Sequence, residues 1–276
     1  MQLAFHKMHG LGNDFIIVDC LNNPYDRLNF SALAAQLCDR HFAIGADGLI
    51  AILPSDIADV RMRIFNSDGS EAQMCGNGIR CVGKYIFDSH IIPSLQPAIE
   101  TAVGIKRLNL VIADDGKVSH ATVNMGKAEF EQGEISRTLT TPYGKFNVIP
   151  VSTGNPHGVI FVNDLSHINV QLIGPELENH PYWADRANIE FVEIASPHRF
   201  RQLTWERGAG QTLACGTGAC ASTAAAVASA RCQWPIEVQL AGGTLSIDSD
   251  ADGNIHMTGP ATYVFSGLCR LDDTAY

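Results

Sequence analysis

Basic residues are scarce in this chain: 19 Lys and Arg stand against 29 Asp and Glu, a formal net charge of −10. Nucleic-acid surfaces concentrate Lys and Arg to follow the phosphates, so no nucleic-acid partner is expected, and the partner is read as a small molecule or another protein. Long apolar runs are missing too. No uninterrupted stretch suffices to span a bilayer, and the amino-terminal MQLAFHKMHGLGNDF lacks the basic segment, apolar run and small-residue cleavage site of a secretory signal. The expectation is a soluble, cytoplasmic protein with no membrane association. Cysteine is too sparse for a disulfide scaffold, with eight in 276 residues: Cys20, Cys38, Cys75, Cys81, Cys215, Cys220, Cys232 and Cys269. In a reducing compartment these are expected to be free thiols. None forms a CxxC pair, and the closest spacings, Cys75 to Cys81 and Cys215 to Cys220, suit zinc poorly, so no metal is expected.

What the sequence has is a repeat. FNSDGSEAQMCGNG, Phe65 to Gly78, lies without gaps over WERGAGQTLACGTG, Trp205 to Gly218, at an offset of 140. IETAVGIKRLNLVIADDGKV from Ile99 lies over IEVQLAGGTLSIDSDADGNI from Ile236 at 137, and both end in an Asp-Gly turn. Upstream, GNDFIIV from Gly12 matches GNPHGVIFV from Gly154 at 142, and GADGLIAI from Gly45 is matched to ANIEFVEI from Ala187 at the same shift. Any one match is ordinary Gly-rich turn composition, but four in the same order mark two similar halves. At 276 residues and 46% apolar the chain has material for two cores. The expected division is residues 1–118 with 263–276 as the first half and 119–262 as the second, the boundary falling beside the DDGKVSH turn.

Apolar or alternating runs such as FIIVD, GLIAIL, VRMRIF, GVIFV and IEFVEI predict strands. Helices are fewer. One is predicted from about Ser31 to His41, with Leu33, Leu37, Cys38 and His41 on one face; the others begin just after Cys75 and Cys215. CASTAAAVASA is small and apolar nearly all round, as suits a helix enclosed by sheet. The fold class expected is α/β (α+β): two pseudo-symmetric domains, each a curved, mostly antiparallel sheet wrapped around a central helix, with the active site in the cleft between them.

Each copy of the first match is a strand, a polar turn, then Cys-Gly-x-Gly opening a helix: Cys75-Gly76-Asn77-Gly78 and Cys215-Gly216-Thr217-Gly218. Unpaired N–H groups at a helix start favour negative charge, so a cysteine there is a thiolate position, and the same groups can hold a carboxylate. Inverting an α-carbon takes a proton from one face and delivers another to the opposite face, which needs two acid/base groups, one thiolate and one thiol. Two equivalent cysteines on a duplicated scaffold meet that need without pyridoxal. The competing reading, two small buried cysteines at Gly-rich helix starts, fits the remaining six better than these two. His157 in GNPHG and Glu206 in WERG flank apolar strand runs and can orient substrate or tune the thiols. A solvated histidine and a surface Glu–Arg pair explain them equally well at this stage. Asn13, Asn66, Asn155 and Asn188 fall in the repeated motifs, either as substrate contacts or as turn residues.

HGLGNDF, FNSDGSEAQMCGNGIRC, STGNPHG and WERGAGQTLACGTGACA resemble, in order and spacing, the signature segments of the diaminopimelate epimerase family, over nearly the whole chain. The resemblance implies conversion of LL-2,6-diaminopimelate to the meso form, in lysine and peptidoglycan-precursor synthesis, without metal or cofactor, by a homodimer. It implies Cys75 and Cys215 as the catalytic thiols, and backbone groups of Gly76, Asn77, Gly216 and Thr217 as the carboxylate holders. It further implies Asn13, Asn66, Asn155, Asn188, Glu206 and Arg207 as substrate contacts, with His157 and Glu206 tuning the thiols. Two positions depart from some relatives: Gly48 where they carry Gln, and Phe265 where they carry a dimer-contact Tyr. The rival readings are another two-cysteine racemase, acting on proline, hydroxyproline or histidine, and a non-enzymatic thiol-redox or metal-binding protein.

Overall fold

The structure is a computed structural model of the chain and describes residues 2–21 and 28–271. The first elements are β1 (Gln2–Gly10), β2 (Asn13–Asp19), α1 (Phe30–Leu37), β3 (Gly48–Leu53), β4 (Val60–Asn66), β5 (Glu71–Ala72), α2 (Gly76–Asp88), β6 (Ala98–Thr101), β7 (Gly104–Ile112) and β8 (Val118–Gly126). There follow β9 (Glu129–Phe130), β10 (Arg137–Thr141), β11 (Gly144–Ser152), β12 (Pro156–Phe161), α3 (Val170–Glu178), β13 (Asn188–Ser196), β14 (Arg199–Glu206) and β15 (Gly210–Thr212). The last are α4 (Gly216–Ala228), β16 (Ile236–Leu240), β17 (Gly243–Ser249), β18 (Ile255–Pro260) and β19 (Thr262–Arg270). Residue contacts divide the chain into Met1–Val123 with Gly259–Tyr276, and Asn124–Thr258. The changeovers lie inside β8 and β18, at 123/124 and 258/259, where the sequence division stands at 118/119 and 262/263. Of the carboxyl-terminal tail assigned to the first half from sequence, 272–276 lie outside the described residues.

The two units are the same design. In the first, β1 pairs antiparallel with β2, β2 parallel with β3, β3 antiparallel with β4, β4 antiparallel with β5 and parallel with β6, and β6 antiparallel with β7. In the second, β11 through β17 repeat that series of pairings in the same order and the same senses. β19 closes the first unit by pairing antiparallel along β1, from Gln2 opposite Arg270 to His9 opposite Thr262. Each sheet is therefore mixed and mostly antiparallel. The β7–β8 and β17–β18 turns carry Gly116 and Gly253 at φ +77° and +83°, a backbone region costly for residues with a Cβ.

One helix sits inside each sheet. Every residue of α2 from Gly76 to Ile86 is buried, and the helix touches β1, β2, β4, β7 and β19, so sheet surrounds it. α4 is buried almost as completely and touches β11, β12, β13, β16 and β17. Its Ala-rich sequence lets the strands come close on several sides, whereas the equally enclosed α2 buries the longer side chains of Ile79, Arg80, Val82, Tyr85 and Ile86. The shorter helices sit elsewhere on each sheet. α1 buries Phe30, Leu33, Ala34 and Leu37 in a core with Leu49 and Phe65, each Phe or Leu side chain contributing about 1.5–3 kcal/mol. α3 buries Val170 and Leu177, and its Gly174 lies flat on Trp205: a Cβ there would meet Trp205 Cγ at 2.5 Å. Both start on an asparagine N-cap, Asn29 accepting from Ala32 N–H at 3.2 Å and Asn169 from Leu172 N–H at 3.3 Å.

Three expectations change here. α1 ends at Leu37 and does not continue to His41, because the Asp39 carboxylate takes the backbone N–H groups of His41 and Phe42 at 2.7 and 2.8 Å and turns the chain. α3 was not anticipated, since Gly174 and Pro175 interrupt its pattern. The shift of 142 given to GADGLIAI is corrected to 140: Gly48 pairs with β2 at Phe15, as Asn188 pairs with β12 at His157, so Gly48 matches Asn188.

Candidate active site

In each unit a cysteine is the N-cap of the enclosed helix. Cys75 (φ −140°, ψ 118°) and Cys215 (φ −116°, ψ 111°) are extended, and their sulfurs accept from the N–H of the third helical residue, Gly78 at 3.5 Å and Gly218 at 3.3 Å. The sulfur takes the place usually held by a Ser or Asp oxygen, at the end where the helix dipole favours negative charge. Both glycines lie close to what is beneath: a Cβ on Gly78 would sit 2.8 Å from the terminal methyl of Ile50, and one on Gly218 2.5 Å from Glu190 Oε1.

Around Cys75, which is partly exposed, the structure gathers Asn13, Gly76, Asn77 and Arg80. Asn13 Oδ1 lies 3.7 Å from Cys75 Sγ and accepts from Asn77 Nδ2 at 3.1 Å. Arg80 is fully buried; it donates to Asn77 Oδ1 at 2.9 Å, to the Gly76 carbonyl at 3.0 Å and to the Pro260 carbonyl at 3.2 Å. Asn13 also donates to Asp47, which with Asp14 pairs Arg40. Burial pushes the Asp14 carboxyl up, but hydrogen bonds from Arg40 and Lys7 outweigh it and hold the group at about 2. Asn66 stands apart, exposed at the end of β4 and bonded to Ser70 Oγ at 2.9 Å.

Around Cys215 the structure gathers Thr217, Glu206, His157, Asn155 and Glu190. Cys215 is buried, and Thr217 Oγ1 lies 3.5 Å from its sulfur. Burial first, then the carboxylates of Glu206 and Glu190, push the thiol well above its ordinary value. Glu206 accepts from Thr212 Oγ1 at 2.5 Å. His157 is fully buried, so the solvated-histidine reading is excluded; its Nδ1 meets Glu190 Oε1 at 2.8 Å and its Nε2 meets Asn155 Oδ1 at 2.9 Å. Arg207 Nη1 binds Asp185 at 2.9 Å, and the Arg207 backbone N–H donates to Asn188 Oδ1 at 3.0 Å. Asn188 Nδ2 in turn donates to the Pro156 carbonyl at 3.1 Å.

Sequence reasoning missed Arg80 and Glu190. The available signal was a charged residue in an otherwise buried frame: Arg between Ile79 and Cys81 of an apolar helix face, and Glu between Ile189 and Phe191 of an apolar strand. Gly48 has a local cause, since a Cβ there would lie 2.7 Å from the Phe65 carbonyl oxygen, so a longer side chain needs the strand to move. Among the described residues no group of three or more His, Cys, Asp or Glu is placed to hold a metal ion, all eight cysteines are free, and no helix is long and apolar enough to cross a membrane.

A family model for diaminopimelate epimerase matches residues 5–131 and 149–264. The chain belongs to the diaminopimelate epimerase family. Diaminopimelate epimerase from Pelotomaculum thermopropionicum is 44% identical over 275 residues, covering 96% of this chain and 98% of that protein. The enzyme of the same name from Acetivibrio thermocellus is 45% identical over 282 residues, 98% of this chain and all of that one. Solved structures share the fold at low identity. A hydroxyproline epimerase from Agrobacterium vitis with bound trans-4-hydroxy-L-proline has a TM-score of 0.76 at 16% identity, covering 99% of this chain and 94% of that one. A Bacillus anthracis phenazine biosynthesis protein of the PhzF family has the same TM-score and identity, over 98% of this chain and 100% of that one. Membership in the epimerase family thus rests on sequence, and the racemase likeness is one of architecture.

Proposed function

We propose that this chain epimerises LL-2,6-diaminopimelate to the meso isomer, with Cys75 and Cys215 as the acid/base pair and no cofactor. The observation that carries this is the repeated Cys-Gly-x-Gly helix start, each sulfur held by the glycine N–H three residues on, in a chain of this family. One thiolate abstracts the α-proton and the other thiol delivers a proton to the opposite face, so the reaction requires both sulfurs to address one α-carbon. The first-turn N–H groups at Gly76, Asn77, Gly216 and Thr217 suit the α-carboxylate and the negative charge that develops beside it. Asn13, Asn155 and Asn188 line the same half-sites as polar contacts; Asn66, Glu206 and Arg207 complete the set for the distal amino-acid end. His157 and Glu206 tune the Cys215 side. The product serves lysine and peptidoglycan-precursor synthesis in the cytoplasm.

The assembly proposed is a homodimer. In support, β19 exposes Tyr263, Val264, Phe265 and Leu268 in one strand, a row that pairing with a second copy would cover. Sedimentation at micromolar concentration checks this: a single species at the monomer mass would exclude it.

The deciding experiment is α-proton exchange in D2O, with reduced protein and LL-diaminopimelate followed by NMR, and L-proline and L-histidine alongside. Deuterium at the α-carbon of diaminopimelate together with the meso product is the expected result. Exchange only with another amino acid would keep the chemistry and replace the substrate. Exchange with none would overturn the proposal.

A further inference from the structure

The two units have the same strand pairing, so each residue beneath one helix start has a structural counterpart beneath the other. Phe15 on β2 corresponds to His157 on β12, and Ile50 on β3 to Glu190 on β13. The helices give the same correspondence, since a Cβ on Gly78 would strike Ile50 and one on Gly218 would strike Glu190. All four side chains are buried. The first unit shows that this fold closes well over an apolar pair. Replacing such a pair with a buried histidine and carboxylate costs desolvation that the mutual attraction at best offsets, so packing alone does not account for the exchange.

The carboxylate is placed against the thiol end of α4. The point 2.5 Å from Glu190 Oε1 where a Gly218 Cβ would stand is 3.2 Å from Cys215 Sγ. Glu190 Oε2 is buried and has no hydrogen-bond partner among the described residues, so half of the carboxylate is not compensated locally. His157 is held from both sides, with oxygen acceptors at both ring nitrogens, Glu190 on one and Asn155 on the other.

We propose that Glu190 is a positioning residue of the epimerase reaction: it fixes His157 and sets negative charge behind Cys215, so that Cys215 carries the proton before substrate binds. This rests on the two-thiol reading above. The carboxylates acting on Cys215 are Glu206 at the end of β14 and Glu190 of β13; among the other titratable groups on the elements packed on α4, His157 of β12 is buried and bonded to Glu190, and Cys220 is buried on α4 itself. Lys145 of β11, Glu237 of β16 and Asp248 of β17 are exposed and contribute only screened charge.

The test is Glu190→Gln, which keeps the shape and removes the charge. Iodoacetamide alkylation of Cys215 and Cys75 is followed by peptide mass spectrometry from about pH 7 up to the alkaline limit of the fold, with kcat and KM on LL-diaminopimelate measured in parallel. The expected result is a Cys215 alkylation midpoint lowered by about one pH unit with that of Cys75 unmoved, and kcat down about tenfold at nearly constant KM. An unmoved Cys215 midpoint with wild-type kcat would overturn the proposal. If Glu190→Gln fails to fold, the double variant His157→Phe with Glu190→Ile, which copies the first unit's own packing, takes its place with the same expected midpoint shift. Because alkylation needs no turnover, it tests Glu190 even if the wild type proves inactive on diaminopimelate, an outcome that would count against the substrate reading alone.

Discussion

Gly218→Ala is a sharp test of the packing beneath Cys215. The new methyl would lie 2.5 Å from Glu190 Oε1, 3.1 Å from its Cδ and 3.2 Å from Cys215 Sγ. None of these neighbours can retreat easily: Glu190 is fully buried and tied to His157 at 2.8 Å, and Cys215 is fixed as the helix cap. Overpacking of this kind costs about 1–3 kcal/mol. Forcing the carboxylate away from His157 loses a charge-assisted hydrogen bond worth about 1.5–3 kcal/mol more, while Ala in place of Gly in a helix returns about 1 kcal/mol. The net expectation is a loss of about 1.5–5 kcal/mol, or roughly 3–20 °C in Tm for a chain of this size. Gly78→Ala is the internal control, because its obstruction is the terminal methyl of Ile50 at 2.8 Å, which a rotamer change can withdraw. It is expected to cost about 1 kcal/mol or less. Differential scanning calorimetry of both variants reads the difference, and equal losses, or a larger loss at Gly78, would refute the reasoning.

Cys75→Ser and Cys215→Ser are each expected to lower turnover by about 10²–10⁴-fold while the circular dichroism spectrum is unchanged, since a hydroxyl cannot ionise in this range; near-normal turnover in either removes the two-base assignment. Alkaline stability follows from the buried thiols: Cys81, pushed up to about 12 by burial, and Cys215 keep their protons when folded and lose them near pH 9 when unfolded. Their stabilisation is therefore complete below pH 9 and falls by about 1.4 kcal/mol per pH unit for each thiol above it, and urea unfolding of Cys81→Ala should show the slope reduced by one thiol. Asn13→Ala frees both the Asn77 amide and the Cys75 sulfur from their shared oxygen, so turnover is expected to drop about tenfold with a stability loss of about 1 kcal/mol, measured by the same kinetic and urea assays.

Much of the fold was legible because its largest feature is a repeat, and repeated Gly-rich turns survive in sequence when the strands between them drift. FNSDGSEAQMCGNG and WERGAGQTLACGTG are joined by their glycines and cysteines, and both prove to be strand, turn and cysteine-capped helix. The strand GLIAIL was matched two residues out of register, because Gly48 and Ile50 share no residue type with Asn188 and Glu190 and only hydrogen-bond pairing reveals the match. Glu190 was hidden for the same reason: a carboxylate beside apolar residues in IEFVEI reads as part of a strand's polar face, whereas β13 buries five residues in succession, Glu190 among them. α1 was overextended because His41 continues the apolar spacing while the Asp39 turn that ends the helix is a side-chain hydrogen bond.

Duplication alone produces two equal half-sites, yet the inversion proposed above starts from one thiolate and one thiol, so on that proposal the differences between the halves bear on the chemistry more than the likeness does. Those closest to the sulfurs lie at a few positions under the helix starts. Beneath α2, Phe15 and Ile50 are apolar and the buried charge is the Arg80 guanidinium, bonded to Gly76 and Asn77 of the first turn; its counterpart on α4 is Cys220. Beneath α4, His157 and Glu190 replace the apolar pair, and Glu206 adds a second carboxylate to the surroundings of Cys215. A cation at one helix start and carboxylates at the other bias the two ends in opposite directions while the backbone that presents each sulfur stays the same. Exchanging these few side chains between halves, without touching either cysteine, would therefore be expected to even out the reactivity of the two thiols before it disturbs the fold.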